Sequence, residues 1–215
     1  MTHRIAFAVR DRARFLSHLE TVDMLLSALR RAGYQIALSQ GMKPRPVISL
    51  ALPRAVGVES ESELADVQLT TEVSPDELAE RLSPQLPAGV ELVSVLTVEG
   101  RPAASRVCGA RYRIEVAEDV PWDDAVDRFA AAGEATVVRR APGKADKRVD
   151  VKRFCHAVEH RAGSLSVEID VTDAGTARPE EVATAVAAQV GATPTVNRLV
   201  RTAIELRPEP VGANT

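Results

Sequence analysis

Leu19, Val22, Leu26 and Leu29 recur at helical spacing between Ser17 and Gly33, and Leu25 and Ala32 widen the stripe. This pattern predicts a helix with one apolar face packed on a sheet. Ser17 and Glu20 match a capping box at its start, and Gly33 is a helix-stop residue at its end. A strand is predicted before it over residues 3 to 10, joined by the basic link 11 to 14. After it come an apolar strand over 47 to 52 and an alternating strand over 64 to 70. Ser74-Pro75-Asp76-Glu77 opens a second helix of about ten residues, with Ser as N-cap, Pro at the first position and a capping-box Glu. Residues 90 to 98 supply a fourth strand. The order strand, helix, strand, strand, helix, strand is the split βαβ or ferredoxin-like arrangement.

Residues 101 to 110 lack periodicity and read as a linker. The pattern then recurs: strand 111 to 117, helix 121 to about 132, strand 135 to 140, strands around 149 to 159 and 164 to 171, helix 179 to 190 and strand 196 to 206. The expected fold class is therefore α+β, with tandem ferredoxin-like (βαββαβ) halves and antiparallel sheets. The expected domains are 1–100 and 111–207, with a flexible tail over 208–215.

Of the 215 residues, 45% are apolar and 27% charged, the balance of an ordinary soluble globular protein. Aromatic residues make up only 3%, which removes a broad base-stacking platform. The net charge of −3 conceals a segregation. Residues 1 to 56 carry nine Lys/Arg against three Asp/Glu, residues 57 to 100 one against ten, and residues 139 to 161 eight against three. The shape of the field, rather than its sum, sets the attraction of a polyanion. Such blocks also arise as solvated or mutually paired faces. The two cysteines, Cys108 and Cys155, form no CxxC pair and have no surrounding His, so neither a disulfide scaffold nor a structural zinc site is expected. No run of about 18 apolar residues occurs, and a cytoplasmic protein without membrane attachment is the expectation.

Candidate chemistry concentrates between residues 17 and 61. His18 in the first helical turn meets the positive end of the helix dipole, which disfavours imidazolium. A neutral imidazole there suits a general base or a phosphate contact, and equally a hydrogen bond to a neighbouring loop. In the turn Ser39-Gln40-Gly41-Met42-Lys43-Pro44-Arg45-Pro46, Gly41 permits special backbone geometry. Its two prolines stiffen the segment around Lys43 and Arg45. Lys and Arg on a rigid loop suit phosphates, and Gln40 suits an amide or base edge; a stiff connection with solvated charges has the same composition. Glu59, Glu61 and Glu63 are expected to pair with Lys43 or Arg45 rather than bind metal, since no coordination geometry is defined. In the second half, Lys152 and Arg153 are read as strand residues on a basic surface that contacts nucleic-acid backbone. A Lys/Arg-protected edge strand would look alike. No neighbouring motif defines a catalytic role for Asp150.

The series Phe15-Leu16-Ser17-His18-Leu19-Glu20, Ala28-Leu29-Arg30-Arg31-Ala32-Gly33, residues 39 to 46 and Gly57-Val58-Glu59-Ser60-Glu61 resembles the bacterial radical SAM-linked family, a domain of unknown function. Arg148-Val149-Asp150-Val151-Lys152 and Asn197-Arg198-Leu199-Val200-Arg201-Thr202 look like its later signatures. The resemblance implies a domain fused behind, or encoded beside, a radical SAM protein with a cobalamin-binding region. This chain has no CxxxCxxC and cannot itself ligate the cluster, so the radical SAM protein would be its partner. Glu20 stands where the family usually has Asp, and Arg45 where it often has His, which weakens any two-histidine site with His18.

The expectation is a non-catalytic accessory protein of a cobalamin-type radical SAM enzyme, with no cofactor of its own. It would bind RNA or another anionic substrate through His18, Gln40, Gly41, Lys43, Arg45, Lys152 and Arg153, with Ser17, Glu20, Glu59 and Glu61 in support. The alternatives are a metal-independent endoribonuclease using His18 with Lys43 or Arg45, and a protein-binding scaffold.

Overall fold

The computed structural model describes residues 1–140, 143 and 145–208. The chain forms two compact units, Met1–Val107 with the described residues from Leu206 onward, and Cys108–Glu205. In the first, β1 (Thr2–Val9), α1 (His18–Arg31), β2 (Ile48–Leu50), β3 (Glu59–Gln68), α2 (Pro75–Leu82) and β4 (Val90–Val98) follow the expected order. Their strands lie in the order β4-β1-β3-β2, with antiparallel neighbours.

Strand alternation decides what each sheet face meets. Ile5, Phe7 and Val9 of β1, with Ala65 and Val67 of β3, pack against Leu25, Ala28 and Leu29 of α1 and Leu78 and Leu82 of α2. The register Thr2↔Gln68, Arg4↔Asp66 and Asp66↔Ser49 places these five residues on the opposite face, where the sheet has no α-helix of this unit over it. α1 ends as the pattern predicts. Gly33 takes φ +89°, and the Tyr34 N–H returns to the Leu29 carbonyl at 3.0 Å.

The second unit contains β5 (Val107–Val116), α3 (Trp122–Ala131), β6 (Thr136–Arg139), β7 (Lys147–Asp150), β8 (Cys155–Arg161), β9 (Ser164–Asp170), α4 (Pro179–Ala188) and β10 (Val196–Leu206). Its main strands run β10-β5-β9-β8, while β6 and β7 make a separate antiparallel hairpin. Both units are mixed α+β with largely antiparallel pairing.

Several boundaries differ from expectation. β3 begins at Glu59 rather than Leu64, because acidic side chains enter the sheet with partners the local pattern does not reveal. The segment expected as a linker holds a 3-10 turn at Ala103–Ser105 and the start of β5. That turn is anchored by Ala103, buried, whose N–H reaches Asp66 at 2.6 Å. The continuous strand expected over 149 to 159 is broken by a 3-10 turn at Val151–Arg153. Apart from Pro208, the expected tail lies outside the described residues, as do Pro142 and Lys144. Among the described residues, no helix is long and apolar enough to cross a membrane.

Candidate functional site

The capping box at the start of α1 is present. The Ser17 hydroxyl accepts from the Glu20 N–H at 3.3 Å, and the Glu20 carboxylate accepts from the Ser17 N–H at 2.8 Å. Hydrogen bonding to the carboxylate by Ser17, side chain first and backbone N–H second, holds the Glu20 carboxyl below its ordinary range. His18 is exposed at the first helical position, and among the described residues nothing hydrogen-bonds its ring. Glu59 is buried at the head of β3 and takes the Arg14 guanidinium at 3.0 Å. Glu61 is half-buried and Glu63 buried in the same strand. The expected pairing of Glu59 with Lys43 or Arg45 is therefore replaced by one with Arg14. Arg54, also buried, donates to the carbonyls of Arg14, Leu16 and Val58, stitching residues 14 to 16 to the loop before β3. The same end exposes Phe15, Leu19 and Val56 at 56, 72 and 59%.

The turn at 39 to 46 is a closed, exposed loop. The Ser39 N–H donates to the Arg45 carbonyl at 2.8 Å, and the Arg45 N–H to the Ser39 hydroxyl at 3.1 Å. Leu38 bridges Pro46, and the Gln68 N–H donates to the Val47 carbonyl at 3.0 Å, fixing the loop base to the end of β3. Gly41 adopts φ +127°, in the left-handed range that favours glycine, with open space where a Cβ would stand. Gln40, Lys43 and Arg45 are exposed.

His18 and this loop do not meet. Gly57 donates to the Arg14 carbonyl at 2.9 Å, and Val9 pairs with Ser60, so the start of α1 sits at the β1 end of that register. The loop sits at the other end, beside Gln68, which pairs with Thr2. The 14 residues of α1 carry the chain back about 21 Å. The expected single site of His18, Gln40, Lys43 and Arg45 is therefore two sites at opposite ends of one sheet.

What the loop does join is a cleft of about 460 Å³ on the helix-free face of the first unit. Ser39, Arg45 and Pro46 line one side, Val98, Glu99, Arg101 and Pro102 the other, and Asp66 and Gln68 the floor. Asp66 is held by Arg4 Nε at 2.8 Å, by Arg4 Nη2 at 3.0 Å and by the Ala103 N–H at 2.6 Å. Arg45 and Arg101 are exposed, and among the described residues neither guanidinium has a partner. Arg101 escaped the sequence reading because it lay in the supposed linker. The signal available was its Gly-Arg-Pro step, which places an Arg beside a Pro as Arg45-Pro46 does.

In the second unit the two expected binding residues separate. Lys152 Nζ donates to the carbonyls of Phe129 and Ala130 at 3.0 and 3.3 Å and lies 4.6 Å from the Phe129 ring centroid, so it closes the end of α3 instead of facing a ligand. Arg153 is exposed, with no side-chain partner among the described residues. Asp150 accepts from the N–H groups of Ala135 and Lys152 at 3.0 and 3.2 Å, which makes it a turn residue. Arg139 holds Glu181 through two contacts of 2.6 Å, tying β6 to the start of α4. Burial alone would raise the Glu181 carboxyl, but hydrogen bonds from Arg139 and the Arg178 backbone, with their charges, bring it below its usual value. Burial pushes the Cys155 thiol up to about 12, which leaves it unreactive. No cluster of three or more metal-ligating side chains occurs among the described residues.

A family model described as "Uncharacterized protein conserved in bacteria (DUF2344)" matches residues 3–189. No curated protein matches the chain. Among solved structures, it is similar to a chain of the "Crystal Structure of a Cbf5-Nop10-Gar1 Complex", with a TM-score of 0.51 and 10% identity over 94% of this chain and 48% of that one. This is a likeness of fold, and this chain spans about half that chain's length. A chain described as an "Unknown Protein from Galdieria sulphuraria" aligns at 14% identity over 91% of this chain and 96% of that one, but its TM-score of 0.30 carries no argument.

Proposed function

The chain belongs to the uncharacterized bacterial family whose model spans residues 3–189, and we propose that it is a non-catalytic recognition protein that binds RNA or another anionic substrate for a cobalamin-type radical SAM enzyme. We read its two units as ferredoxin-like halves, on the ground that β4-β1-β3-β2 and β10-β5-β9-β8 repeat one strand order. The observation that carries the binding reading is the hydrogen-bonded loop that presents Lys43 and Arg45 to solvent beside a cleft whose second rim holds Arg101. Guanidinium groups without an internal partner are available to anions, and a closed loop loses little entropy on binding. The radical SAM partner rests on the resemblance of residues 15 to 61 and on the lack of cluster-ligating cysteines in this chain.

The endoribonuclease reading loses its support. It needs proton transfer at His18 and charge stabilisation at Lys43 or Arg45 within one site, and these stand about 20 Å apart along α1. The scaffold reading keeps one observation, the exposed Phe15, Leu19 and Val56 beside His18.

The test is anisotropy of labelled single-stranded RNA at low salt, together with a pull-down against a cobalamin-type radical SAM protein. Lys43→Glu with Arg45→Glu is expected to weaken RNA binding by tenfold or more, about 1.4 kcal/mol, while the protein complex survives. If wild type binds neither RNA nor that protein, the proposal is lost. Loss of the protein complex with this variant, without any RNA binding by wild type, selects the scaffold.

A further inference from the structure

The cleft of the first unit has more than charge to offer a ligand. Its volume of about 460 Å³ falls in the range that encloses small molecules. Its two arginines reach it from separate segments, the loop before β2 and the turn after β4, so their forks approach from different sides. The space between is bounded by the apolar Val47 and Val98 and by Gln68, a floor side chain that both donates and accepts.

The acidic lining selects among anions. Asp66 already accepts three hydrogen bonds, two of them from Arg4, so its charge is compensated and does not repel an incoming phosphate. Glu99 is different: it is exposed at the rim, and among the described residues nothing pairs with it. Two free guanidinium groups facing one free carboxylate suit one phosphate better than a chain of three. An electrostatic surface without built selectivity would prefer the more highly charged ligand.

We propose that this cleft is a binding site for a single nucleoside monophosphate unit, either free or as one nucleotide of a single-stranded RNA. Arg45 and Arg101 take the phosphate oxygens in the manner of paired guanidinium forks. Val47 and Val98 cover a face of the base, a contact of apolar burial rather than aromatic stacking. Gln68 meets the base edge with its amide and gives the site its base preference. This assignment rests on the recognition function proposed above and narrows it to one cleft and one chemical class.

Calorimetric titration of the full chain with the four ribonucleoside monophosphates, a matching triphosphate, inorganic phosphate and a short labelled RNA tests it. At least one monophosphate is expected to bind more tightly than both inorganic phosphate and its own triphosphate. Arg101→Ala, an exposed side chain with no partner to lose, is expected to weaken that binding about tenfold. Glu99→Gln is expected to improve the triphosphate relative to the monophosphate, and Gln68→Ala to flatten the ranking of the four bases. Triphosphate binding tighter than monophosphate in wild type, or inorganic phosphate binding as tightly as any nucleotide, overturns the assignment. RNA bound equally by wild type and Arg101→Glu, with no monophosphate bound, overturns the cleft while the recognition function stands. Neither RNA nor monophosphate bound removes both. Monophosphate bound without RNA keeps the cleft and identifies the free nucleotide as its ligand.

Discussion

His3 is an imidazole sealed on the helix-facing side of β1, between Val67 of β3 and Thr97 of β4. Among the described residues, neither ring nitrogen has a partner. A buried polar group left unpaired costs about 1–3 kcal/mol, and burial, with a smaller contribution from the N-terminal ammonium, lowers the His3 pKa from 6.5. The unfolded chain therefore binds this proton more readily than the folded one. Stability is complete above the unfolded value and falls as pH drops through it toward the depressed folded value. His3→Leu should leave the urea midpoint at pH 7.5 unchanged or higher and reduce the loss between pH 7.5 and 5.5. Equal losses in wild type and variant would show that His3 is not the group responsible. Cys155 is a second sealed group, but its elevated pKa confines its chemistry to the unfolded chain.

At the scale of elements, the same residue type serves opposite ends depending on what lies behind it. Lys152 was expected among the ligand contacts, yet a 3-10 turn swings it onto the last carbonyls of α3. A cation in that position is worth about 0.3–1 kcal/mol, with a comparable term from the Phe129 ring. Lys152→Ala should thus cost about 1 kcal/mol in urea unfolding and leave RNA affinity unaltered, whereas Arg153→Ala should do the reverse. A variant of Lys152 that lost affinity at constant stability would return it to the binding surface. Local devices were legible in the sequence: the Ser17–Glu20 box and the Gly33 stop are fixed within one helical turn, so their residue types suffice. The head of β3 was not, because Glu59 enters the sheet on the strength of Arg14, 45 positions away. Nor was the cleft, whose floor and rims come from Thr2, Ser49, Asp66, Gln68 and Arg101, residues that only strand register brings together. Placing His18 beside Arg45 failed for a related reason: a helix between two motifs sets them apart by its own length.

Over the whole molecule, the basic blocks shrink once internal partners are assigned. Arg4 answers Asp66, Arg14 answers Glu59, Arg139 answers Glu181, and Lys152 closes a helix. Lys43, Arg45 and Arg101 in the first unit, and Lys147, Arg148 and Arg153 in the second, are exposed without a side-chain partner among the described residues. A net charge of −3 gives a polyanion no general reason to approach, so binding must come from such residues. Each phosphate neutralised on a single strand contributes about −0.7 to the slope of log affinity against log salt. If Lys43, Arg45 and Arg101 alone engage RNA, the slope should be about −2; if Lys147, Arg148 and Arg153 join, it should approach about −4. Arg148→Glu with Arg153→Glu separates the cases, leaving the first slope unchanged and bringing the second to about −3. A slope near zero in wild type would mean that the bound nucleic acid is held without phosphate neutralisation. The exposed cations would then serve only to keep the two basic stretches solvated.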